Sequence, residues 1–173
     1  MDLRGFCFFK NSIFIGVISP KYAKKKAVKV FIECFWGQSN KDYKKFFNFK
    51  ECLSLVQEYT KRLTERGFQT QILAGSLERR PRSQLWLCHP RGKELDSIQI
   101  SERFQRAMSS GVDLVIAIGS DTGFSKEDIS KLKPDLLWSF GPMTLPHELA
   151  TVIATEQLYR AASILRNEPY HRP

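Results

Sequence analysis

The sequence predicts an α/β fold around a mostly parallel sheet. Two patterns point there. Segments rich in β-branched and aromatic residues alternate along the chain with segments whose apolar residues recur at helical spacing. One of the former, Asp113 to Ile118, is almost wholly apolar, as befits a strand covered on both faces. The length of 173 residues suits one domain with one core, given roughly 100–200 residues per domain.

Residues 1–27 read as a separable N-terminal extension. An apolar stretch ends at Pro20, Lys24-Lys25-Lys26 follows, and neither shows strand or helix periodicity. An extra strand, a disordered arm and a leader upstream of the true start all fit that pattern. Phe6 to Ile18 resembles a signal-peptide core, but Lys10 and Asn11 interrupt it and no small-x-small cleavage site follows. Nothing approaches the ~20 apolar residues of a membrane span. The chain therefore reads as cytoplasmic and without a membrane partner.

The domain proper is expected over 28–173. Val28 to Trp36 predicts a buried strand. A basic, aromatic loop follows, carrying Lys41, Tyr43, Lys44, Lys45, Phe46 and Phe47. Cys52, Leu55, Val56, Tyr59 and Leu63 mark a helix stopped at Gly67. Phe68 to Leu73 predicts the second strand, Glu78 to Arg82 a basic loop, and Gln84 to Cys88 the third strand. His89 to Asp96 is expected as loop. Ile100, Phe104, Ala107 and Met108 give the next helix its apolar face, with Gly111 as its stop. The fourth strand is Asp113 to Ile118. Ser125 and Asp128 have capping-box spacing for a short helix to Leu132. Leu136 to Phe140 predicts the fifth strand. Pro146 is expected at the first position of a long helix, His147 to Leu165.

Charge is unevenly placed. Residues 1–50 hold eleven Lys and Arg against three Asp and Glu, whereas the remainder holds sixteen against fifteen. A positive end on a near-neutral body fits an anionic partner such as nucleic acid; a solvated basic tail fits it equally. Lys24–Lys29, Lys41–Lys45 and Arg79–Arg82 are the candidate RNA contacts. Cys7, Cys34, Cys52 and Cys88 form no C-x-x-C pair and no zinc-finger spacing with histidine. Reduced, mostly buried thiols are expected, with no metal site.

Ligands of open parallel sheets bind beyond the carboxyl ends of strands. Three loops leave such ends: Cys88 to Gly92, Gly119 to Gly123, and Gly141 to Pro146. The middle one sets two glycines about a turn before a helix start, but it is neither G-x-G-x-x-G nor a Walker loop. Taken alone it is an ordinary strand-to-helix turn. The missing glycine fingerprint argues against a Rossmann-type enzyme.

The C-terminal third adds a longer signature: Thr144-Leu145-Pro146-His147-Glu148-Leu149, then Glu156-Gln157-Leu158-Tyr159-Arg160-Ala161, then Pro169-Tyr170-His171-Arg172. With Arg91-Gly92-Lys93-Glu94-Leu95 and the Gly119 and Gly123 pair upstream, it closely resembles the bacterial large-subunit ribosomal RNA pseudouridine N3-methyltransferases, minimal enzymes of the SPOUT class. The likeness runs from about Val28 to the end and also argues against a flavodoxin-like nucleotide binder. It implies an α/β fold with a C-terminal trefoil knot, a homodimer, and S-adenosylmethionine bound among the knot loops. The implied donor-binding residues are Leu87, Cys88, Gly119, Ser120, Gly123, Phe140, Gly141, Pro142, Met143, Thr144 and Leu145. The implied substrate is a pseudouridine of large-subunit ribosomal RNA in the assembled ribosome.

Within that resemblance, His171 is the candidate to take the N3 proton, because histidine titrates near neutrality. Tyr170 is a candidate to stack on the target base, Arg172 to pair with a phosphate or a base carbonyl, and Arg160 to reach a partner's pocket. Each has a plainer reading: Tyr170, His171 and Arg172 as frayed tail, Arg160 as an ion pair with Glu156. Three positions depart from the family. His89 stands for an aspartate, Ser120 for a second glycine, and Thr151 for an arginine, while Asp121 adds an acid. Ser120, Asp121 and Thr151 motivate an alternative, a catalytically weakened SPOUT homologue that binds ribosomal RNA as an assembly factor.

Overall fold

The computed structural model describes residues 28–36 and 42–170. Residues 1–27, Lys41, His171 and Arg172 lie outside the described residues, so the extension, the lysine triplet and two tail candidates are not placed. Among the described residues five strands form one sheet in the order β2-β1-β4-β3-β5, every pairing between them parallel. They are β1 (Lys29–Cys34), β2 (Gln69–Ala74), β3 (Ser83–Glu94), β4 (Asp113–Ile118) and β5 (Leu136–Ser139). The α/β class and the parallel sheet stand as expected.

Alternation along the strands sends side chains to opposite faces. Val30, Ile32, Leu114, Ile116, Trp86 and Trp138 join a core roofed by α1 (Lys50–Glu65), α2 (Ser97–Ser109) and α4 (His147–Leu165). Phe31, Leu85, Leu87, Val115 and Ala117 face the other way, against Phe124 and Leu132 of α3 (Lys126–Leu132) and its approach. β4 sits centrally, and its Leu114 to Ile118 are all buried, which is why that segment lacks polar alternation. α4 packs on both α1 and α2. Its buried residues include Ala150, Ala154, Ala161, Ala162 and Ser163, small side chains that admit close neighbours.

The caps follow local chemistry. Ser125 accepts from Asp128 N–H while Asp128 reaches back to Ser125 N–H, the reciprocal box the spacing predicts. A second such box, Asp96 with Gln99, opens α2. Pro146 precedes α4 as its N-cap, so the first helical residue is His147. Within the basic aromatic loop, Tyr43–Phe46 winds into a single 3-10 turn.

The largest difference from expectation is at β3. The strand does not end at Cys88 but continues to Glu94. Trp138 of β5 faces Cys88 and then Lys93, so His89 to Gly92 bulge outward before pairing resumes. Gly92 makes this possible: a Cβ there would lie 2.7 Å from the carbonyl carbon and oxygen of Leu137. The polar composition of 89–94 reads as loop because this stretch leans on one neighbour and is otherwise open to solvent.

Candidate functional site

Beyond the carboxyl ends of β3, β4 and β5 the three exit loops enclose one cavity of about 800 Å³. Ile118, Trp138, Phe140 and Leu145 give it apolar lining. The Gly119 loop turns tightly there: Gly123 N–H donates to Ser120 O at 2.8 Å. Gly123 takes φ +70°, open to glycine at little cost. Gly119 has a different reason to be bare, since a Cβ would sit 2.9 Å from Gly123 Cα.

Ser139, buried at the end of β5, joins two of the loops. Its hydroxyl lies 3.2 Å from both Pro90 O and Gly141 O and accepts from Gly141 N–H at 3.1 Å. One side chain thereby holds the β3 and β5 exits together. Ser139 gives no sequence signal, because a strand-end serine is unremarkable until its neighbours are known.

A second fastening crosses the mouth. His147 Nδ1 lies 2.5 Å from Asp121 Oδ1, which ties the Gly119 loop to the start of α4. The His147 ring stacks on Trp36 at 4.3 Å between centroids. Its neighbour Glu148 is 2 % exposed, and its two carboxylate oxygens accept from Asn48 N–H (2.8 Å) and Phe49 N–H (3.0 Å). Those are free amides at the start of α1, so Glu148 caps another helix from within α4. The stretch bearing exposed Lys44 and Lys45 is thus anchored beside the cavity.

Nine of the eleven expected binding residues line this space: Cys88, Gly119, Ser120, Gly123, Phe140, Gly141, Met143, Thr144 and Leu145. Leu87 does not; its side chain is fully buried on the α3 face. Pro142 is also outside the lining. Among the lining residues outside that expected set are His89, Arg91, Trp138 and Ala150. Burial, with a smaller contribution from Arg91, lowers the His89 pKa below the usual histidine value. Arg91 N–H donates to its Nδ1, so the neutral ring carries its hydrogen on Nε2. Burial pushes the Cys88 thiol well up, which keeps it from acting as a thiolate. Thr151, one of the family departures, is fully buried and spends its hydroxyl on His147 O at 2.8 Å.

Arg160 and Tyr170 sit elsewhere. Arg160 lies ten residues beyond Ala150 on α4, roughly 15 Å along the axis at ~1.5 Å per residue. Arg160 Nη2 donates to Glu156 Oε1 at 2.6 Å, and the Tyr170 hydroxyl donates to the same oxygen at 3.0 Å. The Arg160 guanidinium also lies over the Tyr170 ring, 4.8 Å from its centroid. Burial and then hydrogen bonding raise the Tyr170 pKa far above its usual value, so it stays a phenol at neutral pH. Both are therefore ordered rather than frayed, and the expected Glu156 pair is present.

Of the basic clusters, Arg79 is paired with Asp135 and Arg80 with buried Glu33, so these are committed within the fold. Among the described residues there is no group of three His, Cys, Asp or Glu side chains placed to hold a metal ion, and no helix long and apolar enough to cross a membrane.

Residues 15–171 match the family described as predicted SPOUT methyltransferase. The chain belongs to this family. Similar proteins include three named ribosomal RNA large subunit methyltransferase H. The one from Psychrobacter sp. (strain PRwf-1) is 43% identical over 91 residues, 53% of this chain and 55% of the relative. That from Stenotrophomonas maltophilia (strain R551-3) is 47% identical over 81 residues, 47% and 51% of the two chains. The protein from Xylella fastidiosa (strain M12) is 48% identical over 84 residues, again 47% and 51%. The alignments span about half the length of these curated relatives.

Proposed function

We propose that this SPOUT chain transfers a methyl group from S-adenosylmethionine to N3 of a pseudouridine in large-subunit ribosomal RNA. It does so as a cytoplasmic homodimer acting on the assembled ribosome. The observation that carries the reading is the single cavity formed by three glycine-bearing strand exits in a member of a methyltransferase family. The names of the relatives support the RNA class. The family's trefoil knot is part of the proposal, and the family match supports it.

The residues present fit the donor. The space of about 800 Å³ is of the size that takes a small-molecule cofactor. Its apolar lining suits an adenine, and the Gly119 and Gly141 turns bring backbone close enough to hydrogen-bond one without a side-chain motif. Gly141 to Leu145 carries no charge to repel a cation, and Asp121 supplies a negative one at the mouth. When bound, the donor would supply a sulfonium-activated methyl.

The chain's own part is orientation and proton handling. Holding two reactants in line is worth up to ~7–11 kcal/mol. Tyr170 remains protonated, so it orients rather than accepts a proton. Its ring already carries Arg160, so any stacking on the target base uses the opposite face or follows a rearrangement. His171 is the proposed proton acceptor and Arg172 the proposed phosphate or carbonyl contact. Arg160, on α4, and Tyr170, which packs against it beyond the helix end, are not among the residues that line the cavity of their own chain. The reading therefore pairs each cavity with the tail of a second copy.

The test is mass spectrometry of ribosomal RNA from cells with and without the gene, followed by methyl transfer to unmodified ribosomes by the purified protein. Loss of one N3-methylpseudouridine and its restoration in vitro are expected. An unchanged modification profile would refute the reading and leave the non-catalytic assembly factor.

A further inference from the structure

The C-terminal tail leaves α4 through a sharp reversal. Asn167 takes φ +54°, and Glu168 N–H returns to Ser163 O at 2.9 Å. The side chain of Glu168 then meets α1 from the far end of the sequence. Arg66, the C-cap of α1, points Nε (2.9 Å) and Nη2 (2.6 Å) at Glu168 Oε2. The same Nη2 donates to the Tyr159 hydroxyl at 3.1 Å, and the guanidinium lies 4.5 Å from the Tyr159 ring centroid. Nη1 donates to Arg62 O at 3.1 Å. Arg166 holds the other carboxylate oxygen, with Nε 3.0 Å from Oε1. Two residues later Tyr170 packs edge-on against Tyr159 at 4.6 Å.

We infer that Arg66 is a positioning residue for the C-terminal tail: by gripping Glu168 against Tyr159 it fixes the point from which Tyr170 is presented to the substrate. The inference rests on the proposed function, but its geometry does not. Arg66 is only partly exposed and spends its donors on the tail, on Tyr159 and on the α1 carbonyl. A surface arginine serving only solubility has no reason to be so committed. A planar fork on a carboxylate gives directional as well as energetic hold. Tyr159 carries the grip onward, because its ring touches both Arg66 and Tyr170.

The test uses the full chain with Arg66→Gln, Arg66→Lys and Glu168→Gln. Hydrogen exchange at the Asn167 and Glu168 amides reads the clamp without reference to activity. Calorimetry with S-adenosylmethionine reads the cavity, and single-turnover methylation of ribosomes reads the tail. Arg66→Gln and Glu168→Gln are expected to speed tail exchange and lower the transfer rate by roughly ten- to a hundredfold, as small misplacements do, with donor Kd unchanged. Arg66→Lys should recover part of the rate. Glu168 lies outside the helices, so Glu168→Gln keeps the test open if Arg66→Gln folds poorly. Wild-type exchange and rate in Glu168→Gln would overturn the inference, as would loss of donor binding in step with rate. Were the wild type itself to transfer no methyl, the proposed function would fall, whereas unchanged tail exchange in the variants would sink the clamp alone.

Discussion

The two ends of α4 are built differently. At its start, His147 and Glu148 reach outward to the Gly119 loop, to Trp36 and to the first amides of α1, and they border a cavity made mostly of backbone turns and apolar rings. At its far end, charged and aromatic side chains gather on one another: Glu156, Arg160, Tyr170, Tyr159, Arg66 and Glu168. In the proposed function one end holds the methyl donor and the other holds the tail, and neither is a complete catalytic site alone. On that reading a helix carries two halves of one chemistry, which a second copy turns toward each other.

The largest effect should come from filling the cavity end. Gly119→Val would place carbon within 2.9 Å of the Gly123 backbone, and overpacking of that kind costs about 1–3 kcal/mol. Donor affinity measured by calorimetry should fall by roughly ten- to a hundredfold, while tail exchange stays as in the wild type. Equal disturbance of both would mean the ends are not separable.

A smaller effect is expected from the latch across the mouth. The Asp121 side chain is 86% exposed, so its pairing with His147 is screened and worth at most about 1 kcal/mol. Asp121→Asn should speed donor dissociation by up to about fivefold in stopped flow, with little change in melting temperature. A large loss of stability would instead make Asp121 a structural residue.

The smallest effect is one of pH. The hydrogen bond from Arg66 above all, then the charges of Arg66 and Arg166, holds the Glu168 carboxyl below its usual value. A carboxyl whose folded pKa is depressed stabilises the fold above its unfolded pKa, and that contribution fades as pH falls through the folded one. Tail amides followed by NMR should therefore loosen only below the ordinary glutamate value of 4.5.

Most of the fold was legible because its strands and helices obey local rules. β4 could be read from its unbroken apolar run, α3 from Ser125 and Asp128, and α4 from its length. The end of β3 was not, because 89–94 becomes strand only by lying against β5, a neighbour some forty-five residues away. The cavity followed from glycines at strand exits together with a family signature. Ser139, Trp138 and the Arg66 clamp left no local trace. Each acts through partners distant in sequence, and an arginine at a helix end looks like any other. The Leu87 side chain is off the lining for a related reason: being next to Cys88 in a strand, it points to the opposite face.

The central claim is that a cavity from one chain works with a tail from another. Co-expressing Gly119→Val and Arg160→Ala under different tags, and purifying through both, yields dimers with one copy of each. Each variant alone should be nearly inactive. In the mixed dimer one of the two sites retains both an intact cavity and an intact Arg160, so about half the wild-type methyl transfer per dimer is predicted. A mixed dimer as inactive as its parents would place both halves within a single chain and contradict the account.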